Sequence, residues 1–207
     1  RRWCEVTGID FVPALLERGR ERAQAERLQI EFKQGDAEEL PFPDSSFDAV
    51  LSTFGVMFAP NQEKAAGEML RVCKPGGKIG MANWTPDGFL GEMFKLPGKY
   101  IPKPPGLDPP VLWGTKERIQ ELFGGGSADI QVNPRQVVFR YLSVDHYIDF
   151  MRTHFGPTKI TFEKLDPDKQ NEYAEEMRGI LRSFHRGEGE EPIQVPSDYI
   201  EVVVTKK

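Results

Sequence analysis

The most constraining feature of this 207-residue sequence is the alternation of strand-like and helix-like segments over its first 84 residues. Four segments have the length and the apolar, β-rich composition of strands: 4–9, 30–36, 49–58 and 78–84. Amphipathic segments at 13–28 and 62–74 are predicted to be helices, and Pro75-Gly76-Gly77 is expected to stop the second one. Such alternation predicts an α/β fold of the Rossmann-like type, with a mostly parallel sheet and helices on both of its faces.

The character of the sequence changes after Trp84. Residues 85–114 contain seven prolines and predict a long irregular connection, typical of a lid or binding loop. Later patterns predict helices at 115–124, at 143–156 and after Asp166-Pro167, and strands at 136–143 and 199–207, with Thr115 and Asp166 as helix N-caps. We expect one domain over residues 1–207, in which 85–114 and 143–192 are inserted cap segments that form the substrate pocket.

The composition of the chain indicates which classes of binding partner are not expected. Lys and Arg number 27 against 32 Asp and Glu, for a net charge of −5, and no basic stripe points to nucleic acid. No apolar stretch is long enough to span a membrane, and the first residues do not resemble a signal peptide. With only two cysteines, we expect a cytoplasmic protein without a membrane partner. The three histidines lack the spacing of zinc ligands, so no metal is expected.

Polar residues follow three of the predicted strands. In an open α/β sheet, ligands bind outside the carboxyl ends of the strands. Asp10 follows the first strand, and its carboxylate could accept hydrogen bonds from both hydroxyls of a ribose; the alternative is that it caps the next helix. Asp36 follows the second strand and could accept from an adenine amino group, or it could be an ordinary turn aspartate. Ser52 and Thr53 follow the third strand.

Three stretches give the sequence a family resemblance: VTGID at 6–10, GDAEELPFPDSSFDAVLS at 35–52 and EMLRVCKPGGKIGMANW at 68–84. Together they resemble the class I S-adenosylmethionine-dependent methyltransferases of the small-molecule "type 11" group. The resemblance implies S-adenosylmethionine as cofactor, S-adenosylhomocysteine as product and a small-molecule methyl acceptor (EC 2.1.1.-). It also implies an antiparallel strand at the C-terminal end of the domain.

The resemblance further implies which residues contact the cofactor. Asp10 would hold the ribose, and Phe11 would pack on the adenine or its sugar. Asp36 and Ala37 would hold the adenine edge. Ser52 and Thr53 would lie near the methionine part, with Phe54 close to the reaction centre. The Pro-Gly-Gly turn at 75–77 resembles a structural turn of the family and has no implied catalytic role.

One part of the family pattern is missing. The family has an acid followed by a GxGxG loop after its first strand, and this sequence lacks both the loop and the strand. Arg1 to Trp3 would correspond to the end of the helix that follows that loop, and the Gly-Gly-Gly at 124–126 does not replace it. Because the missing strand lies in the middle of this fold's sheet, its absence predicts two long unpaired edges. We expect that the parent protein has a preceding segment, or otherwise that the chain pairs with another, as in a homodimer.

The acceptor pocket is expected to come from the cap segments. The candidate residues are Trp84, Phe89, Trp113, Tyr147, His154 and Phe155. His154, the one histidine followed by a Gly-Pro turn, is a weak candidate for a catalytic base or a substrate-orienting group; the favoured alternative is a histidine at the surface end of a helix. For the aromatic residues too, the favoured alternative is a place in the core.

The sequence alone is compatible with three functions. An acidic residue at a strand end would also suit the ribose of a nicotinamide cofactor, so an NAD-dependent oxidoreductase is an alternative. A truncated, non-catalytic interaction domain is another. The GDA and LPF elements of the 35–42 loop, together with the late C-terminal strand, favour the methyltransferase. Methylation of nucleic acid is disfavoured by the acidic balance of charges.

Overall fold

A computed structural model of the chain describes residues 4–102, 106–189 and 192–207. The described strands are β1 (Thr7–Asp10), β2 (Glu31–Gln34), β3 (Phe47–Thr53), β4 (Cys73–Trp84), β5 (Ser127–Tyr141) and β6 (Ile193–Lys206). The described helices are α1 (Pro13–Ala25), α2 (Gln62–Val72), α3 (Phe89–Lys95), α4 (Pro97–Tyr100), α5 (Lys116–Phe123), α6 (Val144–His154), α7 (Gly156–Lys164) and α8 (Pro167–Phe184). The interpretation of Arg1 to Trp3, and small parts of both cap segments, lie outside the described residues.

The strands form two sheets. β1 pairs with β2 in parallel, and a four-stranded sheet has the order β3-β4-β6-β5. Within that sheet β3 and β4 are parallel, whereas β6 is antiparallel to both of its neighbours. The α/β fold class and the antiparallel C-terminal strand are thereby confirmed. Among the described residues β1 and β3 each have one edge without a paired strand, and Leu51 on β3 is 78% exposed.

Two apolar clusters form the core. The first lies on the four-stranded sheet under α2 and α5, and it includes Ile79, Val202 and the fully buried Trp113. The second joins α3, α6 and α8 to the first residues of β6, with Tyr147 and Leu181 among its members. The second cluster therefore attaches the cap helices directly to the sheet rather than leaving them as a loose lid.

The Pro-Gly-Gly turn lies inside a strand, which corrects the expectation that it ends a helix. α2 ends at Val72, and Cys73 already has extended backbone angles. The partner of Phe47 is Cys73 and that of Ala49 is Lys78, so the residues between them bulge out of the ladder. Proline has no N–H to donate to a ladder, and Gly76 has a φ of 73°, which suits such a bulge.

The cap is more ordered than the sequence indicated. The segment predicted to be irregular contains α3 and α4, and α7 occupies the region where only a turn was expected after His154. β5 and β6 are also longer than predicted, because they pair with each other continuously from Asp129 to Tyr141. The two predicted N-caps are confirmed: Thr115 Oγ1 accepts from the backbone N–H of Arg118, and Asp166 Oδ1 from that of Lys169.

Hydrogen bonds from Arg71 connect the loop after β2 to helix α2. Its guanidinium donates to the carbonyl oxygens of Leu40 (2.9 Å) and Phe42 (2.7 Å), and to Asp44 Oδ1 (2.9 Å). It also donates to both carboxylate oxygens of Glu68, each at 2.7 Å. Hydrogen bonding from Arg71 holds the pKa of Glu68 below its usual value. This ion pair therefore links the chain segment that carries Asp36 to the rest of the fold.

We expect Arg71→Ala to lower the midpoint of thermal unfolding by about 4 °C, because several carbonyl and carboxylate acceptors lose their donor. The pKa of Glu68 is depressed in the folded state, so its contribution is present above its unfolded pKa and is lost as the pH falls through the folded value. The variant should therefore lose less stability on acidification than the natural chain.

The control is Arg22→Ala, because Arg22 is an exposed residue of α1 that forms a surface ion pair with Glu26. Its midpoint should shift by less than about 1 °C, as expected for a surface ion pair. Thermal unfolding followed by circular dichroism between pH 3 and 7 measures both effects. Equal shifts for the two variants would contradict the anchoring role of Arg71.

Candidate functional site

A cavity of about 700 Å³ lies at the carboxyl ends of β3 and β4. Phe54, which follows β3, and Trp84, the last residue of β4, form its wall on the sheet side. Residues of α3, α6 and α8 form the opposite wall, and the segment Leu107–Leu112 closes one side. The cavity therefore lies where ligands bind in open α/β sheets, between the sheet and the cap.

The lining of the cavity is strongly apolar. Ten of the described lining residues are aromatic: Phe54, Phe58, Trp84, Phe89, Phe94, Phe139, Tyr141, Tyr147, Phe155 and Tyr173. The charged lining residues described are Lys95 and Asp108, both exposed at the rim. Lys95 pairs with Glu92 at 2.8 Å, and Asp108 pairs with Arg118 at 3.0 Å. The interior thus contains no described ionised side chain.

Phe54 has an unusual backbone that fixes the sheet-side wall. Its φ is 57°, in the left-handed region that non-glycine residues seldom occupy. The backbone N–H of Phe54 donates to Ala82 O at 2.8 Å, and Ser52 Oγ accepts from the N–H of Val56 at 2.9 Å. In this conformation the Phe54 ring stacks on Trp84, with centroids 3.8 Å apart and planes 9° from parallel. Strained residues of this kind cluster at ligand sites.

The two predicted carboxylates follow neighbouring parallel strands. Asp10 ends β1, and its carbonyl accepts from the N–H of Gly35, directly after β2. Asp10 Oδ1 accepts from the N–H of Val12 and Asp36 Oδ1 from that of Glu38, both at 2.8 Å. The N-cap of α1 is Val12, so Asp10 does not cap that helix. Each carboxylate retains a second oxygen that accepts no hydrogen bond from a described residue.

The other predicted cofactor residues lie at the same strand ends but in different environments. Phe11 presents a ring that is 70% exposed, and Thr53 is also exposed. Ala37 and Ser52 are half-buried. Of the seven predicted cofactor residues, Phe54 alone lines the aromatic cavity. The cofactor contacts of all seven stay predictions.

Four of the six candidate acceptor-pocket residues line the cavity: Trp84, Phe89, Tyr147 and Phe155. Trp113 does not, because it is fully buried in the core beneath α5, where it packs against Phe123. His154 does not either; it is exposed at the end of α6 with its ring 4.9 Å from that of Phe150. The burial of Trp113 corrects the expectation that it contacts substrate and matches the alternative of a core tryptophan. The exposure of His154 fits the alternative of a surface histidine, and a catalytic or orienting role for His154 stays a prediction.

The sequence patterns do not identify several of the residues that line the cavity. Phe139 and Tyr141 belong to the part of β5 that the sequence predicts to be a strand, but nothing local indicates which face of that strand meets the cap. Tyr173 and Met177 are four residues apart on α8, which is an ordinary core spacing. Only the tertiary arrangement of β5 and α8 brings these side chains to the cavity.

Tyr147, one of the residues that line the cavity, has a fully buried hydroxyl. The residue is 1% exposed, and its hydroxyl oxygen has no hydrogen-bond partner among the described residues. Burial raises the pKa of this hydroxyl well above its usual value, so it stays protonated at neutral pH. A buried hydroxyl without a partner is costly, and such groups in native structures call for an explanation.

Comparisons with known proteins show what this chain is similar to. Residues 1–81 match the model of a family described as methyltransferase domain. The uncharacterized protein Rv1403c of Mycobacterium tuberculosis is 40% identical over 156 residues, which are 74% of this chain and 57% of the relative. Demethylmenaquinone methyltransferase of Deinococcus radiodurans is 42% identical over 94 residues, 44% of this chain and 39% of that enzyme. The match thus spans little more than half the length of the mycobacterial relative and less than half of the Deinococcus enzyme.

A solved structure shares the fold of this chain. The YcgJ protein of Bacillus subtilis superposes with a TM-score of 0.66 over 98% of this chain and 82% of that one, at 20% identity, which shows the fold alone. The match to the methyltransferase domain family lies in residues 1–81, and the similarity in fold extends over nearly the whole chain. Across the described residues, no helix is long and apolar enough to cross a membrane, and no cluster of acidic, His and Cys side chains could hold a metal ion.

The left-handed φ of Phe54 predicts an inverted order of stabilities for two substitutions at that position. Glycine tolerates this conformation, whereas alanine pays the steric cost of about 1 kcal/mol. We therefore expect Phe54→Gly to be more stable than Phe54→Ala in urea unfolding followed by circular dichroism.

Phe58 is the matched control, because it also lines the cavity but is absent from the residues with positive φ. There Phe58→Ala should be more stable than Phe58→Gly by about 0.5 to 1 kcal/mol. If alanine were the more stable substituent at both positions, the backbone of Phe54 would not be strained in the folded chain.

Proposed function

We propose that the chain transfers a methyl group from S-adenosylmethionine to a small-molecule acceptor. The observation that carries this proposal is the order of features along the strand ends. The carboxylates of Asp10 and Asp36 follow β1 and β2, and each has one oxygen that accepts no hydrogen bond from a described residue. An aromatic cavity begins after β3 and β4. The first pair suits a nucleoside, and the cavity suits an acceptor.

The residues after β1 and β2 fit the adenosine part of the cofactor. Asp10 Oδ2 can accept from the ribose hydroxyls, while Oδ1 keeps the turn to Val12 in place. Asp36 Oδ2 can accept from the adenine amino group in the same way. The exposed ring of Phe11 offers a flat surface for the base or its sugar. When bound, the cofactor supplies a methyl group already activated by a positively charged sulfur.

The cavity would bind and orient the methyl acceptor. Its aromatic walls exclude water and hold the acceptor in one orientation, which accounts for much of the rate that such a transfer needs. The stacked rings of Phe54 and Trp84 present a π-face at the strand ends, and such faces favour a nearby cation. No imidazole lines the cavity among the residues that the structure describes.

The family match supports methyl transfer, and nothing in it favours the NAD-dependent oxidoreductase or the non-catalytic domain. The Deinococcus relative methylates demethylmenaquinone, as its name says, but it matches fewer than half of the residues of this chain. We therefore propose the same type of reaction, methyl transfer, for this chain, and we do not propose the same substrate. A cytoplasmic location, the absence of a nucleic-acid partner and the pairing of two copies stay predictions.

We expect Asp10→Asn to weaken the binding of S-adenosylhomocysteine by at least about tenfold, because a charged acceptor for two ribose hydroxyls is lost. The asparagine oxygen can still accept from the N–H of Val12, so the turn after β1 should persist. Isothermal titration calorimetry on the natural protein that contains this chain measures the change.

The control is Asp48→Asn, since Asp48 is an exposed residue at the start of β3 that pairs with Lys74. It should bind S-adenosylhomocysteine as the natural protein does. Equal affinities in the natural protein and in Asp10→Asn would remove Asp10 from the cofactor site. Absence of binding by the natural protein would reject the proposed function.

A further inference from the structure

We infer that the cavity binds an uncharged, predominantly apolar small molecule, and that Phe58, Phe94 and Phe155 form the surface that contacts it. The bound molecule would be the methyl acceptor, and in that respect the inference rests on the proposed function. Three features of the cavity support it: three accessible rings in mutual contact, paired charges at the rim, and a volume that suits a small organic molecule.

The three phenylalanine rings contact one another where they line the cavity. The centroid of Phe94 lies 5.8 Å from that of Phe58 and 6.0 Å from that of Phe155, and Phe58 and Phe155 are 6.4 Å apart. The planes are inclined by 49° to 72°, close to the edge-to-face arrangement that aromatic pairs prefer. Phe58 ends a short 3-10 helix after β3, Phe94 belongs to α3, and Phe155 joins α6 to α7. Three separate parts of the fold therefore build one aromatic surface.

A bound molecule can reach these rings. Phe58 is 39% exposed, and Phe94 and Phe155 are half-buried, so each ring keeps accessible surface and also lines the cavity. Phe89 and Tyr147, in contrast, are each 1% exposed and belong to the packed core of the cap. An apolar molecule that covers the accessible rings removes their apolar surface from water, and this favours binding.

The charges at the rim disfavour an anion. Lys95 and Asp108 are the charged residues of the described lining, and each has an ion-pair partner, Glu92 for Lys95 and Arg118 for Asp108. An anionic group placed among the rings would lose its water shell without meeting an unpaired positive charge, which is strongly unfavourable. A carboxylate or phosphate therefore does not suit this part of the cavity.

The spacing of the rings disfavours a cation. Aromatic residues hold a cation when it lies over their faces, within about 6 Å of each centroid. In this cavity the three rings pack edge to face on one another, so they form a continuous surface rather than a cage around a charge. An uncharged molecule remains, and the volume of about 700 Å³ is in the range of pockets for small organic ligands.

Three probes that share a naphthalene ring test the inference on the natural protein that contains this chain. Equilibrium dialysis at pH 7 compares 1-naphthylacetamide, which is uncharged, with the anion 1-naphthylacetate and the cation 1-naphthylmethylammonium. We expect the amide to bind about tenfold more tightly than either ion, because neither ion meets an opposite charge among the rings. In Phe58→Lys the preference for the amide over the carboxylate should fall below about threefold, because the new ammonium group attracts the anion.

Phe150→Lys is the matched control. Phe150 is a cap residue with a similar exposure, 44%, but it does not line the cavity. Because it adds the same charge elsewhere, it should keep the full preference for the amide. Phe58→Leu removes the ring without adding a charge and should keep that preference too. Circular dichroism of each variant checks that it remains folded.

The outcomes separate this inference from the proposed function. If either ion binds as tightly as the amide, if no probe binds, or if Phe58→Lys and Phe150→Lys behave alike, the inference is wrong even where S-adenosylhomocysteine binds. If the preference holds and changes in Phe58→Lys alone, but calorimetry shows no binding of S-adenosylhomocysteine, the cavity is assigned correctly and methyl transfer is rejected. The preference, its loss in Phe58→Lys alone and binding of S-adenosylhomocysteine together support both.

Discussion

The parallel pairing of β3 with β4 is the interaction on which the site depends. It sets the ends of both strands at one edge of the sheet, and the bond from the N–H of Phe54 to Ala82 O extends the ladder one step beyond β3. That step turns the chain sharply and brings the ring of Phe54 onto Trp84. The cap helices then close over this pair of rings. Without the register of these two strands, the aromatic residues of the cap would have no wall to face.

The sequence predicts the parts of the fold that have local signals. Short apolar, β-rich segments locate the ends of β1 and β2 to within about three residues and those of β3 to within about five. Thr115 and Asp166 begin α5 and α8 as their side chains suggest. Where prediction failed, longer-range contacts decide. The Pro-Gly-Gly turn looks like a helix stop, but the ladder to β3 accommodates it as a bulge. Trp113 looks like a ligand-binding aromatic, yet the packing of α5 buries it. Local residues cannot reveal which side of a sheet a distant helix will cover.

The candidate site divides into two chemically different halves. After β1 and β2 the groups are small, polar and near the surface, and Asp10 and Asp36 each use one oxygen for a backbone turn. After β3 and β4 the groups are large, apolar and buried. The sequence located the first half, because a carboxylate at a strand end is a local feature. It located the second half only in part, because Tyr141, Tyr173 and Met177 reach the cavity from elements far apart in the chain.

Because the cavity lies between the sheet and the cap, the stability of the folded protein should depend on the concentration of the molecule that fills the cavity. Its two sides belong to the sheet and to the cap, so a molecule that fills it contacts both and binds the folded chain far better than the unfolded one. By mass action, a ligand at a hundred times its dissociation constant adds about 2.7 kcal/mol to the free energy of unfolding. The amount of folded protein, and its resistance to proteolysis, would then follow the supply of the acceptor.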